Sequence, residues 1–366
     1  MDNFADQPRL VFWEMTKACP LACVHCRAVA QPVGLPGELG TRDGMRLIEE
    51  LASGPRPHPV LILTGGDCLS RADLVPLAAR AKQLGVPVAI APSVSPRLSP
   101  ALLGQLHEQG VRHVSLSLDG ATAATHEGIR QVPGHFDATI DAIRLLVDSG
   151  FQVQINTAVM AGNVTELADI AALLHRNRVS VWEVFFLVNV GRGDDVEDVT
   201  PEQAEDVCHF LVDAAQYGMI VRTVEAPFFR RVRRERADGI PAKTGVLYRT
   251  LAATLVNELG PATTRVLAPT VATRDGKGIV FVAHNGDVYP SGFLPLTLGN
   301  VRDGGVLSIY RDHPVLRDIR AANFSGTCGS CEYSDLCGGS RARAFASTGD
   351  PLGDDPACLR VATASV

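Results

Sequence analysis

Short apolar runs recur along the first two-thirds of the chain, each followed by an amphipathic helical stretch. "RLVFWEMT" (9–16), "VLILTGGD" (60–67), "PVAIAPS" (87–93), "HVSLSLDG" (113–120), "QVQINTAV" (152–159) and "VWEVFFLV" (181–188) have strand character. Helical periodicity appears between and after them, near 42–53, 71–84, 99–109, 137–149, 164–176 and 201–217. Strands apolar on both faces and separated by helices predict parallel pairing through crossover helices. Six such units predict an α/β fold, a partial (β/α)6 barrel of TIM type. In that architecture the chemistry gathers at the C-terminal ends of the strands.

The alternation breaks after about residue 225. Residues 227–275 show no regular pattern and carry the arginine-rich "FFRRVRRER". A hairpin is predicted over 278–292, with Asn285–Gly286 at its turn, and a short helix near 305–321. The expected division is a barrel over 1–225, a substrate-lining linker over 226–275 and a C-terminal module over 276–366. At 366 residues and 46% hydrophobic content the chain can bury such a core. A net charge of -6 argues against nucleic acid as a general partner. No run of membrane-spanning length appears, and the first residues lack a secretory pattern, so a cytoplasmic location is expected.

The cysteines change the picture. Of nine, three cluster at Cys19, Cys23 and Cys26, and four at Cys328, Cys331, Cys337 and Cys358; Cys68 and Cys208 stand alone. In a reducing compartment such clusters point to metal before disulfides. A structural zinc site needs a fourth ligand, for which His25 is the near candidate, although a residue inside a C-x2-C turn rarely reaches the same metal. A [4Fe–4S] cube on three thiolates instead leaves one iron open to a chelating molecule. The four tail cysteines close a zinc or an iron–sulfur site equally well by count.

C-x3-C-x2-C in the loop after the first strand resembles the signature of the radical SAM enzymes. The resemblance implies that S-adenosylmethionine chelates the open iron through its amino and carboxylate groups. It also implies that a 5′-deoxyadenosyl radical is released to abstract hydrogen from substrate. "TGGD" (64–67) resembles the family's GGE-like motif, implicating Gly65, Gly66 and Asp67, the carboxylate as partner of the methionine ammonium. "SLSLDG" (115–120) implicates Ser117 and Asp119 near the sugar. "HEGIR" (126–130) resembles HDxxR, with Arg130 pairing the methionine carboxylate. His25 takes the place of the aromatic that packs by adenine. Ser93, Asn156 and Leu187 are further candidates at strand ends. Cys68, where the family has proline, is read as incidental.

The tail resembles the SPASM extension of these enzymes, but incompletely. Where that pattern has further cysteines, this chain has Asp275, Ser291 and Arg341. The resemblance then implies one auxiliary [4Fe–4S] cluster on Cys328, Cys331, Cys337 and Cys358, and a vacated site that Ser291, His284 or Asp275 would face as substrate pocket. The whole chain looks most like a branch near anaerobic haem and haem d1 enzymes. The expected activity is oxidation or decarboxylation of a carboxylate-bearing small molecule, a sugar acid, nucleoside or tetrapyrrole. A reductant such as flavodoxin or ferredoxin would supply electrons. Arg222, Arg230, Arg231, Arg233 and Arg234 are expected near the mouth as anion contacts, and Glu225 and His284 as proton-transfer residues. Two rivals stand beside this. One is a peptide maturase, disfavoured because only 18 residues precede Cys19. The other is a non-catalytic zinc or iron–sulfur protein.

Overall fold

The structure, a computed structural model, describes residues 4–262 and 273–364. Among the described residues ten strands form one sheet. They are β1 (Leu10–Glu14), β2 (Val60–Thr64), β3 (Val88–Ile90), β4 (His113–Ser117), β5 (Gln152–Val159), β6 (Val181–Phe186), β7 (Ile220–Val224), β8 (Ile279–Val282), β9 (Asp287–Tyr289) and β10 (Gly299–Asn300). Their order is β10-β9-β8-β1-β2-β3-β4-β5-β6-β7. Neighbours from β1 to β7 are parallel, and β8 lies parallel to β1 with Leu10 opposite Ile279. The arrangement is a TIM-like partial barrel whose sheet does not close. All six expected strands are present, and β7 and β8 extend the parallel set to eight.

Burial corrects the expectation that the strands are apolar on both faces. In β4, β5 and β6 every second residue is fully buried under the surrounding helices. The residues between them face the lumen and are only half-buried, and in β4–β6 they are largely polar: Ser115, Ser117, Gln154, Asn156 and Glu183. Gln154 Nε2 donates to Asn156 Oδ1 at 2.8 Å and to Glu183 Oε2 at 2.9 Å. The lumen is thus a polar trough and not a packed interior.

Local chemistry sets the helix starts. Ser99 caps the helix Pro100–Glu108 by accepting from Leu102 N, with proline at the first position. Thr200 and Gln203 form a reciprocal capping box for Pro201–Ala214. The segment read as irregular after 225 contains two helices, Phe228–Ala237 and Val246–Leu259. The first buries Phe228, Phe229 and Val232 and also Arg230 and Arg231, which explains why its composition hid it. The predicted hairpin is β8–β9, turning at Gly286 with φ +93°. The helix near 305–321 is two, Val306–Asp312 and Pro314–Ala321, separated at the proline. Cys328, Cys337 and Cys358 lie in the same buried cluster as the barrel core. No helix among the described residues is long and apolar enough to cross a membrane.

Candidate active site

A cavity of about 220 Å³ opens at the C-terminal ends of the strands, walled on one side by the cysteine loop. Cys19, Cys23 and Cys26 all line it. The loop is held from below by the turn after β2. Gly66 N donates to Thr16 O at 2.8 Å and Asp67 N to Ala18 O at 2.7 Å. Gly65 has φ +135°, and a Cβ on Gly66 would stand 2.3 Å from Ala18 O. The two glycines are therefore required for the close approach of β2 to the cysteine loop.

The cavity also gathers His25, Gly65, Gly66, Ser93, Ser117, Asp119, Arg130, Asn156 and Leu187. Asp67 is elsewhere. It is fully buried, accepts from Leu69 N (3.1 Å), Ser93 N (3.3 Å) and Ser95 Oγ (3.2 Å), and does not line the cavity. It acts through Ser93, whose hydroxyl lies 3.3 Å from Cys19 Sγ. Cys68 is fully buried behind this turn, and burial pushes its thiol pKa up.

Arg130 is likewise committed within the protein. Its Nη2 lies 2.5 Å from Asp119 Oδ2, and its Nη1 donates to Cys23 Sγ at 3.5 Å. Burial works against ionisation of Asp119, but Arg130 and then His25 hold its carboxyl below the usual aspartate range. Asp119 Oδ1 also accepts from Ala158 N, tying β4 to β5. His25 sits 3.8 Å from the same carboxylate, yet burial lowers its pKa to about 4, so it presents a neutral ring at neutral pH. Behind Asp119, His126 Nδ1 accepts from Asp119 N and its Nε2 meets His135 Nδ1 at 2.8 Å.

Neither expected proton-transfer residue lines the cavity. Glu225 follows β7 with φ +58°, which turns its carboxyl toward the tail, where Ser340 Oγ donates to it at 2.5 Å. Burial, with Asp275 beside it, raises its pKa well above the glutamate range. His284 Nδ1 is held by Glu14 Oε2 at 3.0 Å, and Arg27 Nη1 approaches the other oxygen of that carboxylate at 3.3 Å. The three residues expected to face a vacated site do not line this cavity either; Asp275 accepts from Ala342 N and Ser291 from Phe293 N. The five arginines expected at the mouth do not line it either. Arg231 pairs with Glu205 and Glu235, while Arg230 donates to Leu336 O beside the tail cysteines. Sequence reasoning missed Arg27, His135, Phe185, Arg192 and Phe293, which do line the cavity. Only position could reveal them: four sit at a strand end or in the loop beyond one, and His135 opens the helix His135–Asp148.

All nine cysteines are free. No group of three or more His, Cys, Asp or Glu among the described residues is arranged to hold a single ion. A cube spreads its thiolates over separate irons, so the fit is judged on the surroundings. At the loop, Cys19 Sγ accepts from Leu21 N and Cys23 Sγ from Arg130, as thiolates need. In the tail, all four cysteines line a small pocket. Arg230, Arg274 and Arg341, each 9% exposed or less, approach it without any carboxylate partner among the described residues. Arg274 and Arg230 rest on backbone carbonyls, and Arg341 Nη2 stands 3.8 Å from Cys328 Sγ. Buried cations without an ion-pair partner are costly, and Asp275 and Asp335 act on Arg230 and Arg274 only from beyond salt-bridge distance. A dianionic metal–thiolate centre matches them; four neutral thiols do not. Burial pushes Cys328 up to about 11 and Cys337 up to about 12, so metal binding there releases protons.

Comparison with known proteins agrees with this geometry. The chain is 35% identical to the AdoMet-dependent heme synthase of Methanosarcina barkeri, over 98% of each chain. It is 32% identical to the mycofactocin maturase MftC of Mycobacterium ulcerans, over 97% of this chain and 89% of that one. Among solved structures, SuiB of Streptococcus suis bound to S-adenosylmethionine superposes with a TM-score of 0.68 at 13% identity, covering 97% of this chain and 78% of that one. Residues 13–205 match the Radical SAM superfamily. The chain belongs to that superfamily.

Proposed function

We propose that this protein performs radical chemistry on the carboxylate-bearing side chains of a tetrapyrrole, oxidising or decarboxylating them. The carrying observation is the cavity at the strand ends, where three cysteines, an internally neutralised Asp119–Arg130 pair and a neutral His25 form one wall. The full-length similarity to a heme synthase supports the substrate class. In this reading Cys19, Cys23 and Cys26 hold a [4Fe–4S] cluster that leaves one iron for S-adenosylmethionine. Bound together, they supply a 5′-deoxyadenosyl radical. Cys328, Cys331, Cys337 and Cys358 would hold one auxiliary cluster, which would offer an acceptor for the electron that substrate oxidation releases. Residues of 1–225, with Phe293, then build the radical cavity, and the four tail cysteines within 276–366 the auxiliary site.

The residues of this chain do the rest. Gly65, Gly66 and Ser93 fix the cysteine loop. Ser117, Asn156 and Leu187 offer hydrogen-bonding and apolar surface to the nucleoside. Asp119 and Arg130 cancel one another, so that pair adds little net charge to the wall beside the radical. Phe185 and Phe293, with ring centroids 6.0 Å apart, shield the opening from water.

The test is anaerobic incubation of reconstituted protein with reductant, S-adenosylmethionine and iron-coproporphyrin III, read by mass spectrometry. Formation of 5′-deoxyadenosine with loss of hydrogen or carbon dioxide from the porphyrin is expected. No porphyrin change despite 5′-deoxyadenosine release refutes the substrate class. Similarity to the mycofactocin maturase supports a second reading, maturation of a ribosomally made peptide. Modification of a precursor peptide, with the porphyrin untouched, would establish that one instead.

A further inference from the structure

Three guanidinium groups reach the cavity, from Arg27, Arg130 and Arg192. Two are already engaged. Arg130 is held by Asp119 and Cys23 through its two terminal nitrogens, and only its Nε is buried without a partner. Arg27 is held by Glu14 and lies over the Phe281 ring, 4.6 Å from its centroid. Arg192 differs: its Nε and Nη2 are buried, and neither has a hydrogen-bond partner. These two N–H groups share one edge of the guanidinium plane, the edge that forks a carboxylate through two parallel bonds.

The backbone fixes where that edge stands. Arg192 N donates to Cys26 O at 3.1 Å. Gly191 has φ +61°, and a Cβ there would fall 2.5 Å from Arg27 O and 2.8 Å from Cys26 O. The turn therefore lies directly on the cysteine loop, with no room to slide. An ionised group held in place with two buried, unmatched donors is a site awaiting an acceptor.

We propose that Arg192 is the carboxylate receptor of the cavity, closing its Nε/Nη2 edge on a carboxylate of a bound molecule. Two sources supply that planar anion: the methionine end of S-adenosylmethionine and an acidic side chain of the substrate. The assignment rests on the functional reading above, and it moves carboxylate recognition away from Arg130, which Asp119 already occupies.

The experiment uses the full chain, anaerobically reconstituted and unreduced, as wild type, Arg192→Gln and Arg192→Lys. Unchanged iron content and circular dichroism establish that each variant folds and loads its clusters. Calorimetry then measures binding of S-adenosylmethionine in one arm. The other arm compares iron-coproporphyrin III with its tetramethyl ester. Arg192→Gln should weaken one of the two acids about 10- to 100-fold, and the affected arm names the source. Arg192→Lys should recover only part of the loss, because a point charge does not fork a carboxylate. If porphyrin is the source, the ester should bind wild type and Arg192→Gln alike. Binding of both acids within twofold of wild type by both variants overturns the proposal. If wild type itself takes no porphyrin, the tetrapyrrole reading fails and the S-adenosylmethionine arm alone decides for Arg192.

Discussion

Replacing Asp119 by asparagine tests the most deeply buried charge of the site. The carboxylate is fully buried, Arg130 is 9% exposed, and they approach to 2.5 Å. Asparagine keeps the shape and can still accept from Ala158 N. It turns an amide toward Arg130, however, and leaves that cation buried without a counter-charge. With the delocalised charge centres taken as about 4 Å apart, the lost attraction at an effective dielectric of about 20 is about 4 kcal/mol. Breaking a buried pair from one side costs about 3–5 kcal/mol. The assay is urea unfolding of the metal-free chain under reducing, anaerobic conditions, comparing Asp119→Asn, Arg130→Met and the double variant. The double variant should recover much of the loss, giving a coupling of about 2–4 kcal/mol. The acid dependence has a definite sign. Asp119 titrates below its unfolded value, so the stability it contributes is fully present above about pH 4. It is lost as pH falls through the lowered pKa. A coupling under about 1 kcal/mol, the figure for an exposed pair, would refute the reasoning.

Three further outcomes are expected. Cys328→Ala should reduce iron from about eight to about four per chain while sparing 5′-deoxyadenosine formation; loss of that cleavage would show that the tail is not auxiliary. Gly66→Ala should prevent loading of the first cluster, since its Cβ meets Ala18 O, whereas Gly128→Ala has open space and should load normally. Burial and then Asp275 raise the Glu225 pKa, so the stability this group contributes should decline as pH rises above about 4.3, by at most about 1.4 kcal/mol per unit. Glu225→Gln should flatten that slope and be the more stable chain at pH 8; parallel pH profiles by thermal unfolding would contradict the assignment.

How far the sequence speaks depends on the range of the interaction. The strands and the two cysteine clusters are local patterns, and Gly65, Gly66, Ser117, Asp119 and Arg130 stand at strand ends or on known motifs. What eluded reading is pairing between distant segments. Arg231 sits in a run that resembles a solvated basic helix, but Glu205 and Glu235 neutralise it inside. Glu225 lies at a strand end, as a lumen residue should, and a positive φ sends it the other way. "GIVFV" reads correctly as half of a hairpin, yet nothing local says that β8 also pairs in parallel with β1. Arg192 was invisible for the opposite reason: its significance lies in partners it lacks.

The position of β8 has a consequence for how the chain is made. During synthesis β1 emerges first, and β2 can cover one of its edges soon afterwards. Its other edge waits for β8, near residue 280, and until then exposes unpaired N–H and C=O groups to other chains. A nascent chain stalled before that point carries the finished cysteine loop on a strand still open along one side. Premature termination therefore threatens the first metal site through its scaffold, although every ligand of that site has already been translated.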